Sequence, residues 1–458
     1  MDSIEFVTAT EKKGVVITPL RQEKSSPLFE ELLRCKPASQ ILEIMTSSGR
    51  VLGVKIEQET RQAREEAGAL LFKKIIEGIE ETIIIEEELD LLTGMMLASW
   101  SFDKYVTPTK PKRRFHVVVV SKDPRTLEKE FERTRAEIEG VLYARALTSE
   151  PPNIFYPTAY AERLKELTDL GIEVEILSEE GLRSLGMRAL LAAGQGSVHP
   201  SAVAILSWNG AQKETKPIAL VGKGVCFDSG GLCLKPKAHQ TEMKWDKAGA
   251  GVVAGVMKAL ALAKAPVHVV GVLGLVENMP DGAAIKPGDI IKAMSGKTIE
   301  IVDTDAEGRL VLADCLWYAL TRFQPSAMID LGTLTMETFA TLGHAYAGLY
   351  SNSPQLKNEL LEAGNESRDL LWELPMGPFF AKQIESSVAD MKNAGVEFLG
   401  ENGAAAEFLK QFCGDVPWAH IDIAGVSWTK EDLPLAPKGV TGFGVRLLYR
   451  WLTNDKRQ

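Results

Sequence analysis

Ile301-Val302-Asp303-Thr304-Asp305-Ala306-Glu307-Gly308-Arg309-Leu310 is the stretch whose reading decides the chain: it sets three carboxylates and a guanidinium within seven residues. Just upstream, Thr298-Ile299-Glu300-Ile301-Val302 has the β-branched content of a strand. Downstream, Leu310 to Leu320 reads as a buried helix. The acids therefore sit at a strand-to-helix junction. If the chain stays extended through it, Asp303, Asp305 and Glu307 continue the face that carries Ile299 and Ile301, because side chains alternate with period two. Unpaired carboxylates pointing inward are costly, so a divalent cation is their natural partner. Acids at a helix start also serve as ordinary caps, and the metal reading needs a second acidic element to stand.

Working outward, that element is Gly222-Lys223-Gly224-Val225-Cys226-Phe227-Asp228-Ser229-Gly230-Gly231-Leu232-Cys233-Leu234-Lys235-Pro236. A phosphate loop is excluded, because Gly224 rather than Ser or Thr follows Lys223, and Pro217 occupies the position of the required first glycine. The glycines are read instead as bends that let Lys223, Asp228 and Lys235 converge. Met243 to Gly251 then adds Asp246 ahead of a small-residue helix. Asp228, Asp246, Asp305 and Glu307, read without a His or Cys ligand, describe an oxygen-rich site. Such a site suits two divalent ions that share bridging carboxylates. Lys223, Lys235 and Arg309 would serve as ligand, electrophile or anion holder.

The remaining pattern is α/β. Short strands (15–17, 40–44, 53–56, 82–85 and 116–120) alternate with helical stretches up to about residue 125, and a long helix from Pro124 to Leu147 ends in Thr148-Ser149-Glu150-Pro151-Pro152-Asn153. Apolar strands at 202–206, 218–221, 267–273 and 328–331 follow, separated by helices. We expect a smaller N-terminal α/β domain with its connecting helix over 1–150. A larger C-terminal domain over 151–458 is expected to hold a mixed, mainly parallel sheet flanked by helices and carrying the active site.

At 458 residues, 45% hydrophobic and 25% charged, the composition is ordinary for a globular chain. A net charge of −10 argues against broad nucleic-acid binding, and Lys110-Pro111-Lys112-Arg113-Arg114 is the one local basic run. Five scattered cysteines (35, 226, 233, 315 and 413) form no C-x-x-C pair and are read as buried thiols. No run of about 18 apolar residues occurs, and Met1 to Glu5 does not begin a signal peptide, so a cytoplasmic protein with no membrane span is expected.

Asp303 to Leu310 resembles the signature of the leucyl aminopeptidase family of two-metal peptidases. Similar agreement in order and spacing extends through Val221 to Pro236, Glu277 to Pro280, Lys286 to Asp289, Met294 to Thr298, Trp418 to Gly425 and Thr441 to Arg446. It covers residues 150 to 452 or so, whereas the first 150 share only an α/β pattern. The resemblance implies one ion held by Asp228, Asp305 and Glu307 together with the Asp305 carbonyl. It implies a second held by Lys223, Asp228, Asp246 and Glu307, and a nucleophilic water activated by both. It implies a catalytic role for Lys235 on the scissile carbonyl, and for Arg309 as holder of a bicarbonate that relays the proton. Mn or Zn suits the ions best, with Mg and Co as further candidates. A homohexamer built as a dimer of trimers is implied as well.

Several positions depart from the family pattern. Asp303 stands where Asn is usual, Lys247 to Gly251 replaces a Met-Gly-Gly-Ala-Ala run, and Thr333 to Glu337 replaces a run ending Gly-Ala. Met336 would put bulk at the edge of a substrate pocket lined by Met243 and Thr333. The dispersed histidines match no ligand position; His420 is read as packed, Asp422 as structural, Asp289 as a turn residue and Asp314 as a helix-surface acid. The expected function is removal of N-terminal residues from short peptides. Two alternatives are a two-metal hydrolase of a non-peptide amide and an aminopeptidase-fold protein with an added DNA-binding role.

Overall fold

The computed structural model describes residues 1, 3–8, 14–20, 41–46, 49–56, 58, 60–79, 81–107, 114–211, 215–396 and 399–454. Cys35 and the basic run from Lys110 to Arg113 lie outside the described residues. Packing divides the chain into two units, Met1–Ile138 with Lys430–Lys438, and Glu139–Thr429 with Gly439–Gln458.

In the first unit, β1 (Ser3–Val7), β2 (Val15–Leu20), β3 (Ile41–Thr46), β4 (Gly49–Lys55), β5 (Thr82–Glu86) and β6 (His116–Val120) form one sheet in the order β1-β6-β5-β2-β4-β3. All neighbours run parallel except β3 and β4. Ile83, Ile85 and Val117 to Val119 are fully buried, as unbroken β-branched runs require. β1 (Ser3-Ile4-Glu5-Phe6-Val7) is only half buried and alternates weakly, so its sequence does not mark it as a strand.

The second unit holds β7 (Glu173–Leu177), β8 (Ala202–Asn209), β9 (Ile218–Asp228), β10 (His268–Asn278), β11 (Ile290–Lys292), β12 (Thr298–Glu300), β13 (Ala327–Gly332), β14 (Ala347–Ser351), β15 (Leu371–Glu373), β16 (Met391–Lys392) and β17 (Trp418–Asp422). Eight of them make a mixed sheet, β15-β14-β17-β13-β9-β10-β8-β7, and β11-β12-β16 make a small one. The central strands β17, β13, β9 and β10 are mutually parallel, while antiparallel strands flank them. The α/β architecture expected from the strand pattern is thus present. Helix Glu307–Phe323 covers one face, packing Leu310, Val311, Leu312 and Cys315 into a core with Val221, Val225 and Val272. Helix Ala248–Leu262 covers the other face so closely that a Cβ on Gly222 would stand 2.7 Å from Ala250 Cα.

The structure departs from the sequence expectation at two places. Gly222 and Gly224 do not bend the chain: both lie inside the continuous strand β9, and the bend comes later, at Gly230 (φ +87) and Gly231 (φ +65). Asp314 is not a surface acid but fully buried. Its carboxylate accepts from the backbone N–H of Leu190 at 3.0 Å and of Met294 at 2.8 Å, tying helix Arg188–Gly194 to the Met294 turn.

Candidate metal centre

Three chain ends deliver the acids. Asp228 is the last residue of β9, and between its pairs Val225↔Val276 and Asp228↔Asn278 the strand carries one residue more than β10. That bulge shifts the alternation, so Asp228 returns to the face of Lys223 although five positions separate them. Asp246 follows the short 3-10 turn Thr241–Trp245. Asp305 and Glu307 come from the opening stretch, but not by continued extension: β12 ends at Glu300, Thr304 and Asp305 form a turn, and the helix begins at Glu307 itself. Asp303 closes that turn by accepting from the Asp305 N–H at 2.9 Å, so one of its oxygens serves the backbone.

One carboxylate oxygen each from Asp228, Asp305 and Glu307 lies within 4.8 Å of the others. Lys235 Nζ stands 2.9 Å from Asp228 and 2.5 Å from Asp305. Lys223 Nζ is 2.9 Å from Asp246, 3.0 Å from Glu307 and 2.8 Å from the Thr333 carbonyl, to which it donates. Thr333 also donates its hydroxyl to Asp246 at 2.6 Å. Two buried carboxylate oxygens, Asp246 Oδ2 and Glu307 Oε2, have neither a hydrogen bond nor an ion-pair partner. Buried anionic oxygens left so are costly, and the donor set around them, oxygens with one amine, fits hard divalent cations.

Electrostatics show the same strain. Burial, with Asp228 adding to it, raises the Asp305 pKa to about 7 against the pull of Lys235. Burial also raises Asp246, to about 6, with Lys223 opposing and Asp228 reinforcing. Glu307 is pushed well above the carboxylate range by burial and by Asp228. Burial opposes the Lys223 ammonium, yet Asp246, Glu307 and Asp228 together hold its pKa above the ordinary value.

Three side chains to which the sequence reading gave no role hold the framework. Asn278, at the end of β10, donates to Asp228 Oδ1 at 2.8 Å and to the Thr304 carbonyl at 3.1 Å. Asn393, just past β16, accepts from Val302 N–H at 2.8 Å and donates to the Asp303 carbonyl at 2.5 Å, while its own carbonyl accepts from Arg309 at 2.8 Å. Glu401 pairs with the same Arg309 nitrogen. Asparagines at strand ends are the available signal, being able to satisfy backbone and carboxylate together.

Of the pocket candidates, Thr333 lies against Asp246, Met243 sits in the turn that leads to Asp246, and Met336 is exposed at the start of helix Met336–Leu342. His420 is buried against Asp330 at 2.6 Å, and Asp422 accepts from Leu334 and Thr335 N–H at 3.0 and 3.1 Å, which shapes the loop after β13. Lys247 is fully buried, donating to the carbonyls of Glu150 and Lys244; burial lowers its pKa to about 8.

A family model described as the cytosol aminopeptidase family, catalytic domain, matches residues 142–449. The probable cytosol aminopeptidase of Caulobacter vibrioides is 52% identical over 362 residues, 78% of this chain and 73% of that protein. The probable cytosol aminopeptidase of Brucella melitensis is 46% identical over 376 residues, 81% of this chain and 77% of that one. Among solved structures, the bottromycin maturation enzyme BotP in complex with Mn aligns with a TM-score of 0.87 at 29% identity, over 96% of this chain and 99% of its own.

Proposed function

The chain belongs to the cytosol aminopeptidase family and is a metal-dependent aminopeptidase; from that premise we propose which of its residues carry the activity. Asp228, Asp305 and Glu307 hold one divalent ion. Lys223, Asp228, Asp246 and Glu307 hold a second, so that Asp228 and Glu307 are shared. The observation that carries this reading is the convergence of three carboxylates within 4.8 Å beside two buried oxygens without partners. When bound, the ions polarise the peptide carbonyl and lower the pKa of water. Mn is our first choice, supported by the similar structure described with Mn, and Zn, Mg and Co are the alternatives an add-back series distinguishes.

Lys235, the less buried of the two lysines, presents its ammonium beside Asp228 and Asp305. There it stabilises negative charge growing on the scissile oxygen, and a preorganised cation spends no free energy reorienting. Thr333 fixes Asp246 by its hydroxyl and Lys223 by its carbonyl. The same residue, with Met243 and Met336, lines the side-chain pocket in this reading. Residues 151–458 act as the catalytic domain, and 1–150 as an N-terminal domain with its connecting helix. We further place the enzyme in the cytoplasm as a homohexamer. The names of its relatives support the first assignment. Among the described residues no helix is long and apolar enough to cross a membrane.

The test is a panel of aminoacyl chromogenic substrates assayed after metal removal and re-addition, with an N-acetylated peptide as control. Activity should vanish with the metal, return with it, and be absent on the acetylated peptide. Turnover by the stripped enzyme, or equal cleavage of the blocked peptide, would refute the reading.

A further inference from the structure

We propose that Asp422 is a positioning residue for the second metal ion. It sets the peptide plane between Thr333 and Leu334, and through that plane the two groups of Thr333 that hold Lys223 and Asp246. The inference rests on the two-ion reading above and adds to it a residue none of whose hydrogen bonds goes to a proposed ligand.

Asp422 is the last residue of β17, is 1% exposed, and stands opposite Gly332, the last residue of β13. Each of its oxygens accepts twice. Oδ1 takes the Leu334 N–H at 3.0 Å and the Ala424 N–H at 3.1 Å. Oδ2 takes the Thr335 N–H at 3.1 Å and the Thr335 hydroxyl at 2.6 Å. Only residues 333–335 connect β13 to helix Met336–Leu342, and they lie outside the strand ladder. Asp422 supplies the partners that the N–H groups of Leu334 and Thr335 need there.

One peptide plane links this carboxylate to the metal centre. A trans peptide points its C=O and its N–H in opposite directions. The Leu334 N–H points at Asp422, and on the other edge of the same plane the Thr333 carbonyl accepts from Lys223 Nζ at 2.8 Å. Turning the plane away from Asp422 turns the carbonyl away from Lys223. An amine that ligates a metal keeps two N–H bonds, and the Thr333 carbonyl is an acceptor in place for one of them, which orients the lone pair. The Thr333 hydroxyl donates to Asp246 at 2.6 Å. Among the described residues, the carboxylates of Asp228, Asp305 and Glu307 bond to none of residues 333–335. Asp422 therefore bears on the two ligands that belong to the second ion alone.

The experiment uses the metal-free full chain, titrated calorimetrically with MnCl2, with bound ions counted by elemental analysis. The wild type should take up two ions. Asp422→Asn keeps the volume but, in either amide orientation, turns an NH2 onto two donors. It should hold the first ion as the wild type does and weaken the second on the order of 10- to 100-fold, the scale of a lost outer-shell partner. Asp314→Asn is the control. Asp314 is likewise a buried carboxylate that receives backbone N–H groups, those of Leu190 and Met294, and its loss should leave the second ion's affinity unchanged. If Asp422→Asn does not fold, Thr335→Val takes its place. It deletes one of the four donors, and the loss should be smaller but again confined to the second ion.

Equal second-ion affinity in Asp422→Asn and the wild type would overturn the proposal. So would equal weakening of both ions, or an equal second-ion loss in Asp314→Asn, since either marks a general loosening of the fold. Failure of the two-ion reading is separable: the wild type itself would then take up fewer than two ions, and the proposal would go with it.

Discussion

A Cβ added to Gly308 would stand 2.5 Å from Lys223 Cε and 2.7 Å from its Nζ. The lysine cannot swing away, since its ammonium is held by Asp246, Glu307 and the Thr333 carbonyl. One glycine in the opening stretch thus makes room for one lysine of β9.

Gly308→Ala tests that fit. Alanine is the better helix former by about 1 kcal/mol, whereas overpacking costs about 1–3 kcal/mol. The fold should therefore survive with little change in melting temperature. Activity and metal content should fall together, because the displaced group is Lys223. Full activity with two bound ions would show that the lysine has slack.

Glu307→Gln addresses the shared ligand. Glu307 is 1% exposed, lies 3.0 Å from Lys223 and leaves Oε2 without a partner. Amide for carboxylate keeps the shape and removes the charge. The loss should be on the order of 10³-fold or more in turnover, exceeding that from any single peripheral ligand, while circular dichroism is unchanged. Near-normal turnover with a full metal complement would contradict the assignment.

Asp314 predicts a pH effect remote from the metals. Burial raises its pKa to about 6 from 3.8, against the backbone N–H groups of Leu190 and Met294. Between those values the folded chain holds a proton that the unfolded chain has released, so this group's contribution to stability is greatest below about pH 4 and declines as pH rises through about 6. A shift of two units corresponds to roughly 3 kcal/mol. Asp314→Asn removes the titration. Chemical denaturation at a series of pH values should show the variant gaining on the wild type across that window; parallel curves would refute it.

Much of this site was legible because its charged residues fall at sequence landmarks. Asp228 ends a strand, Asp305 lies in the turn before a helix and Glu307 opens that helix, positions at which a strand-to-helix pattern places functional side chains. The bulge that turns Asp228 onto the Lys223 face left no mark, since one extra residue disturbs no pattern in an apolar strand. Asp314 misled because a polar residue in a helix reads as outward, whereas two backbone N–H groups from other segments receive it. Asn278, Asn393 and Glu401 act through partners up to 92 residues away, and no local period reports that.

Assembly is open to a simple measurement. The expected homohexamer, a dimer of trimers, would exclude folded proteins by access rather than by chemistry, and closed symmetry makes its mass a sharp prediction. Light scattering should give six chains per particle at working concentration. A monomer would remove the expectation and leave the catalytic assignments intact.

Lys223 carries the least expected role. Its ammonium is paired with Asp246 and Glu307, and as a cation it would be repelled by a divalent ion. Ligation requires the neutral amine, which nearby metal ions favour just as they acidify bound water. The competing account is that Lys223 remains a counter-charge for Asp246. Lys223→Arg separates the two, because arginine keeps the charge and can pair with a carboxylate yet is never deprotonated and cannot ligate. If Lys223 is a ligand, the variant should retain about one ion per subunit by elemental analysis and lose most of its turnover, since the neutral amine is what the second ion needs. Two tightly held ions at full activity would identify the lysine as a counter-charge alone.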